Sequence, residues 1–329
     1  MPGTAPIQEP ISDAQAPMPP VGDHVHSIDP AVTRTAMGTF ADLFRLMRPA
    51  QWSKNAVVFA ALIFSKHLFD GDAVALVCSA FAVFCLIASG AYVMNDLRDC
   101  ERDRQHPLKR LRPLPSGRVS RGAAVVLSLA LMITGIGGAF ALGGSFAILA
   151  ILYLALQVAY TFWVKEVVIL DVMSIAAGFV IRAGAGGVVI DVPVSPWLMI
   201  CTFLLMLFVG FSKRRHELTL LEGRATDHRA SLREYSPYFL DQMISVVTAS
   251  TVVAYAIYTV SPEVREKLGT DRLYLTIPFV LFGIFRYLYL VHQRDEGGNP
   301  TQLLFNDRPL LACVLLWVAT AALLLYWTP

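Results

Sequence analysis

Residues 73–94 read AVALVCSAFAVFCLIASGAYVM, without one Asp, Glu, Lys or Arg, and residues 95–103, NDLRDCERD, follow at once. A bilayer core about 30 Å thick takes roughly 20 apolar residues at 1.5 Å each. The stretch therefore reads as a membrane-spanning helix that leaves the membrane into a run of acids. The rest of the chain agrees. Of its 329 residues 55% are hydrophobic and 16% charged, and mean hydropathy is +0.55, whereas soluble domains carry about 25% charged residues. An all-α integral membrane protein is expected.

Apolar runs of spanning length lie near 52–69, 73–94, 123–141, 145–163, 167–189, 196–212, 240–260, 273–291 and 309–327, which predicts nine helices. The first run is interrupted by Lys54, Asn55, Ser65, Lys66 and His67, so a partly re-entrant or interfacial segment is the alternative there. Cations crowd two loops, Arg98 to Arg121 and Lys213 to Arg233. The positive-inside rule puts both in the cytoplasm. With nine spans the N-terminus is then inside and the C-terminus outside, in a cell inner (plasma) membrane.

Residues 1–38 are rich in Pro, Ala, Asp and Ser without apolar periodicity, which predicts a disordered tail ahead of a membrane domain over 39–329. His24 and His26 in that tail are too few for a metal site. No basic segment followed by an apolar core and a cleavage site marks a signal peptide. Cys78, Cys85, Cys201 and Cys313 sit in apolar runs and Cys100 among charges, so no disulfide framework is implied. The net charge of +2 averages basic loops with nearly uncharged spans and gives no footing for nucleic acid.

If the helix continues past Met94, Asn95, Asp99 and Asp103 repeat at i, i+4, i+8, and Asp96, Asp99 and Asp103 at i, i+3, i+7. They share a face. Such oxygens suit Mg²⁺, which takes a few protein ligands alongside waters and substrate phosphates; the plainer reading is a solvated helix end paired to neighbouring arginines. His106-Pro107-Leu108-Lys109-Arg110-Leu111-Arg112-Pro113 is a rigid basic loop. Lys109 and Arg112 there suit phosphate, or only lipid headgroups. Ser212-Lys213-Arg214-Arg215-His216-Glu217 forms another cationic exit, and Asp171 and Arg182 lie inside the fifth run, where ionisable groups are costly and face a cavity or each other.

The Asn-Asp-x-x-Asp-x-x-x-Asp pattern at Asn95, Asp96, Asp99 and Asp103 resembles the signature of the UbiA superfamily of intramembrane prenyl-group transferases. The resemblance covers nearly all of the chain after residue 40. Ordinary members carry a second Asp-x-x-x-Asp motif after the sixth span, where this chain has Lys213-Arg214-Arg215-His216-Glu217. That departure, with Arg48-Pro49-x-Gln51-Trp52-x-Lys54-Asn55, the His106–Pro113 loop and Asp307-Arg308-Pro309, is similar to the decaprenyl-phosphate phosphoribosyltransferase branch. The resemblance implies Mg²⁺-dependent transfer of 5-phosphoribose from phosphoribosyl diphosphate to a polyprenyl phosphate, in cell-wall glycan precursor synthesis. It implies Asn95, Asp96, Asp99 and Asp103 as metal ligands, with Asp99, Asp103, Lys213 and Arg214 catalytic. Lys54, Asn55, Lys109, Arg112, Tyr160, Lys165, Arg182 and Arg215 would line the substrate site. Partners are then the two substrates and membrane lipid, with a homo-oligomer open. A prenyltransferase using an aromatic acceptor and a non-enzymatic transporter are the competing readings.

Overall fold

A computed structural model of the chain describes residues 36–105, 109–220, 230–294, 297–298 and 300–327. The tail with its two histidines, His106-Pro107-Leu108 and the residues 221–229 lie outside the described residues. From Ala36 on the chain is one compact unit, so helix begins slightly before the expected boundary at residue 39.

A short helix, α1 (Ala36–Leu46), sets Leu43 and Leu46 against Val93, Cys100, Leu114, Val119 and Ala124. The long helices follow: α3 (Gly71–Gln105), α4 (Arg121–Ala141), α5 (Gly144–Phe162), α6 (Leu170–Val189), α7 (Pro196–Leu220), α8 (Pro237–Val260), α10 (Ile277–Gln293) and α12 (Arg308–Tyr326). With the turn that precedes α10, these are the eight helices among the described residues long and apolar enough to cross a membrane. Three short ones, α2 (Ala60–Phe64), α9 (Pro262–Leu268) and α11 (Pro300–Asn306), fill the connections. Local chemistry marks the starts. Ser120 accepts from the Ala123 N–H at α4, Ser236 from the Phe239 N–H at α8, where Pro237 follows, and Asp307 from the Leu310 N–H at α12. Gly143, at φ 126, makes the tight turn from α4 into α5.

The first expected span takes a different form. Pro49–Phe59 is a 3-10 helix and only α2 continues it as α-helix. Trp52, Asn55, Val58 and Ala61 recur every third residue, the period at which 3-10 side chains eclipse. Asn55, Val58 and Ala61 are buried, and Trp52 donates through Nε1 to Ser89 Oγ at 3.0 Å. An eleven-residue 3-10 run is long for that geometry. At about 2 Å per residue, with α2 added, it extends about 30 Å. It runs antiparallel to α3, from Arg48 beside Asp96, through Trp52 beside Ser89 and Asn55 beside Cys85, to Leu62 in the cluster holding Ala73 and Val77.

Two cores hold the bundle. In one, Phe84 of α3 meets Phe146 and Tyr153 of α5 edge-on at 5.6 and 5.4 Å. In the other, Val172, Phe208, Leu240, Ile244, Ile284 and Tyr287 join α6, α7, α8 and α10. The 3-10 segment presses so close to α6 that a Cβ at Gly186 would fall 2.1 Å from the Val58 carbonyl oxygen. The obstacle is backbone, so Gly186→Ala is expected to cost about 3 kcal/mol or more. A thermal melt of the detergent-purified variant checks this; an unchanged midpoint would mean the segment is not seated there.

Candidate active site at the acid-rich end of the bundle

Helix α3, 35 residues long, reaches about 52 Å, well beyond the membrane core. Its last turns carry the acids out of the bilayer. There the four expected ligands fan into two pairs. Lys165 Nζ donates to Asn95 Oδ1 at 3.2 Å and to Asp99 Oδ1 and Oδ2 at 2.7 and 2.9 Å. Arg112 Nη1 reaches Asp103 Oδ2 at 2.8 Å and Asp96 Oδ1 at 3.4 Å. Arg48 also bonds Asp96, and Lys109 Nζ lies 3.9 Å from Asp103 Oδ1. Asp96, Asp103 and Lys165 are buried, the lysine at 1% exposure.

Next to this acid face stands a group of cations. Lys54 is half-buried within electrostatic range of Lys213, Arg182 and Arg48, and no carboxylate pairs with it among the described residues. Arg182, 4% exposed, has neutral partners there: Nη1 donates to Asn55 Oδ1 at 2.6 Å and Nε to the Gly178 carbonyl at 3.0 Å. Its guanidinium lies over the Phe179 and Tyr153 rings, 4.3 and 5.1 Å from their centroids. Arg48 joins the two groups. It sits over the Tyr92 ring at 5.4 Å with a left-handed backbone, φ 53 and ψ 59, a conformation that costs an ordinary residue about 1–3 kcal/mol.

A third network centres on a buried carboxylate. Asp171, 0% exposed, accepts from Arg214 Nε on Oδ2 at 2.7 Å and from Tyr235 OH on Oδ1 at 2.8 Å. Arg214 Nη1 donates to Glu217 Oε2 at 2.5 Å, and Tyr160 is within its electrostatic reach. The Tyr235 hydroxyl also accepts from the Ile169 N–H at 2.7 Å, pinning a β-branched residue at φ 69. Burial, and then the neighbouring Asp171 carboxylate, push the Tyr235 phenol well up, so it stays a donor. Ser231 Oγ donates to the Lys165 carbonyl at 3.1 Å. Residues 231–235 thus clamp the connection between Lys165 and α6. Tyr235→Phe strands the Ile169 N–H and a carboxylate oxygen, so a loss of about 2 kcal/mol is expected in a thermal melt; a neutral result would mean the clamp is not formed.

The sequence-predicted residues thus fall into separate places. The acid face gathers Asn95, Asp96, Asp99, Asp103, Lys109, Arg112 and Lys165, and the cation group gathers Lys54, Asn55, Arg182 and Lys213. Arg214 is instead held by two carboxylates, the buried Asp171 and the partly exposed Glu217. Arg215 bonds Asp241 of α8 through Nε at 2.6 Å. The roles of Arg48, Tyr92 and Tyr235 escaped sequence reasoning. Arg48 stood in a noted motif, but Tyr235 reaches Asp171 across 64 residues of sequence and carries no local signal. Arg286, inside α10, holds Asp307 with two hydrogen bonds, at 2.8 and 3.2 Å. Those bonds keep the Asp307 carboxyl below its usual range.

The acid face fits Mg²⁺ on its donor chemistry. Its donors are all oxygen, and within each pair one cationic nitrogen stands where the oxygens converge. Among the described residues no three acids, imidazoles or thiols meet at one point.

An all-helical membrane bundle with an acid face and a cation group at one end defines a class of membrane transferase. The chain belongs to the UbiA prenyltransferase family, whose pattern its residues 56–306 match. It is 34% identical over 296 residues to the decaprenyl-phosphate phosphoribosyltransferase of Mycolicibacterium smegmatis, covering 87% of this chain and 93% of that one. Against the protein of the same name from Corynebacterium glutamicum identity is 31% over 312 residues, 93% of each chain. In fold it resembles a UbiA homologue from Archaeoglobus fulgidus bound to GPP and Mg²⁺, with a TM-score of 0.65 at 17% identity, over 86% of this chain and 99% of that one.

Proposed function

We propose that this protein transfers 5-phosphoribose from 5-phosphoribosyl 1-diphosphate to a polyprenyl phosphate of the decaprenyl type, releasing diphosphate. The observation that carries this reading is the pair of cations Lys54 and Arg182 beside the acid face, neither with a carboxylate partner among the described residues. A buried cation without counter-charge is costly, and two phosphorylated substrates supply the missing anions. The relatives named for the same reaction support it along most of the chain.

In the reaction, the bond from ribose C1 to the diphosphate oxygen breaks and an oxygen of the lipid phosphate forms the new bond to C1. The acceptor is largely dianionic near neutral pH, with a second pKa of about 6, so no base is needed. Asn95, Asp96, Asp99 and Asp103 would hold Mg²⁺, which supplies charge neutralisation on the leaving diphosphate. Arg112, Lys109 and Lys165 pass from carboxylate to phosphate oxygens as donor binds. Lys54, Arg182 and Lys213 stabilise charge on the leaving group and the incoming phosphate, and Asn55 holds the Arg182 fork in place. Tyr160 on α5 lies within electrostatic reach of Arg214.

The 3-10 segment with α2 makes a ninth crossing, supported by its length and its course along α3. Arg98, Arg102, Arg104, Arg110 and Arg112 on the acid-rich end put that end in the cytoplasm, in the plasma membrane. The product then serves cell-wall glycan synthesis. The test supplies purified protein with labelled phosphoribosyl diphosphate, decaprenyl phosphate and Mg²⁺, beside a tube of geranyl diphosphate and 4-hydroxybenzoate. Label in the lipid phase of the first tube alone is expected. Product in the second alone would make the protein a prenyltransferase of aromatic acceptors.

A further inference from the structure

Cys85, Tyr92, Asp96 and Asp99 follow one another along one face of α3, at i, i+7, i+11 and i+14. The two acids belong to the acid face. At the deep end of the row, Cys85 Sγ accepts from Asn55 Nδ2 at 3.2 Å, and Asn55 Oδ1 accepts from Arg182. The Arg182 fork therefore lies near the level of Cys85. Tyr92 stands between the two, about 6 Å inward from Asp96 and about 10 Å outward from Cys85.

The Arg48 guanidinium covers the Tyr92 ring, 5.4 Å from its centroid. The phenol is also within electrostatic range of Arg182 on α6, Tyr153 on α5 and Cys85. All three are buried, so the phenol points into the bundle and not toward lipid. Its hydroxyl makes no hydrogen bond among the described residues, whereas Tyr153 OH accepts from Gln157 Nε2 at 2.7 Å. Nor is that hydroxyl sealed. Among the described residues, the side-chain oxygens and nitrogens that are both sealed and unpartnered are Thr248 Oγ1 and Tyr287 OH. Tyr92 thus offers an open, unpaired hydroxyl midway between the acid face and Arg182.

We propose that the Tyr92 hydroxyl binds a ring hydroxyl of the donor's ribose and so helps to select a sugar donor, an inference that rests on the phosphoribosyl reading above. The acid face holds the diphosphate end of the donor, and Arg182 attracts the incoming phosphate. The ribose, whose C1 passes from one to the other, occupies the level between them. A phenol both donates and accepts, as a sugar hydroxyl does, while phosphate oxygens already have cations to meet. A donor without hydroxyls, such as a prenyl diphosphate, leaves the phenol unpaired and is disfavoured.

Tyr92→Phe keeps the ring beneath Arg48 and removes a hydroxyl that has no protein partner, so the ligand-free variant should melt with the parent. Calorimetry with Mg²⁺ and no acceptor then compares phosphoribosyl diphosphate with its 2-deoxy and 3-deoxy analogues. The variant is expected to bind phosphoribosyl diphosphate about threefold to tenfold more weakly than the parent does. Toward one of the two deoxy analogues variant and parent should bind alike, because the partner hydroxyl is already gone. A loss of the same size toward all three donors would place the phenol on a phosphate. A lower melting midpoint with unchanged donor affinity would make Tyr92 a packing residue, and either result overturns the proposal. Binding of geranyl diphosphate but not of phosphoribosyl diphosphate by the parent would overturn the phosphoribosyl reading itself, and this proposal with it.

Discussion

Asp99→Asn is expected to lower turnover at least about a hundredfold, the usual scale for removing a group that stabilises charge developing in the transition state. It also disturbs the fold, and the two effects separate through Lys165. That ammonium is buried and gives hydrogen bonds to both Asp99 oxygens. Without the carboxylate it stays inside with only neutral amide oxygens for partners, that of Asn95 and that of the substituted side chain. Breaking a buried pair from one side costs about 3–5 kcal/mol, and the partial exposure of Asp99, at 21% of its side chain, places this case at the lower end. Adding Lys165→Met removes the stranded charge, so the double variant is expected to regain most of the lost thermal stability and none of the activity. Wild-type turnover by Asp99→Asn at saturating Mg²⁺ would remove Asp99 from the chemistry. Recovery of activity in the double variant would show that the pair only supports the fold.

The bundle was legible in the chain because lipid demands long uncharged runs, and eight of those runs became helices, six within a few residues of their expected limits, while α3 and α7 run on past theirs through the charged residues that follow. The first run took 3-10 form over Pro49–Phe59 before a short α-helix. Trp52, Asn55, Val58 and Ala61 repeat every third residue, a spacing that a reading tuned to 3.6 residues per turn blurs into an interrupted helix. The acid face was legible too, since Asn95, Asp96, Asp99 and Asp103 lie on one short stretch of one helix. What the chain hides is which cation meets which acid. Lys213, Arg214 and Arg215 are consecutive, yet one turns to the cation group, one to Asp171 and one to Asp241. Successive helical residues point about 100° apart, so a cationic run leaving the membrane serves three surfaces, and a motif read as one unit loses that division.

The pairing has a chemical consequence. Each carboxylate of the acid face already has a protein cation, and each such cation has hydrogen-bonding capacity suited to phosphate. A ligand carrying a divalent ion and phosphate oxygens together replaces both halves of every pair at once, giving the metal to the carboxylates and the oxygens to Arg112, Lys109, Lys165 and Arg48. Neither half alone does so. Metal without phosphate crowds the cations, and phosphate without metal crowds the acids. Donor and Mg²⁺ should therefore bind cooperatively.

Lys54 separates a binding role from a structural one by the sign of its effects. It is half-buried near Lys213, Arg182 and Arg48 with no acid of its own, so in the absence of ligand its charge opposes folding through desolvation and like-charge repulsion. Lys54→Met keeps the length of the side chain and removes the charge. The variant is expected to melt higher than the parent, by about 2 °C or more for each kcal/mol relieved. Its KM for phosphoribosyl diphosphate should rise about tenfold to a hundredfold, the worth of one charge-assisted contact. A residue kept for packing or topology behaves in the opposite way, losing stability on substitution and leaving KM alone. A lower melting midpoint with unchanged KM would therefore take Lys54 out of the phosphate site and leave Arg182 as the cation that must account for substrate charge inside the membrane.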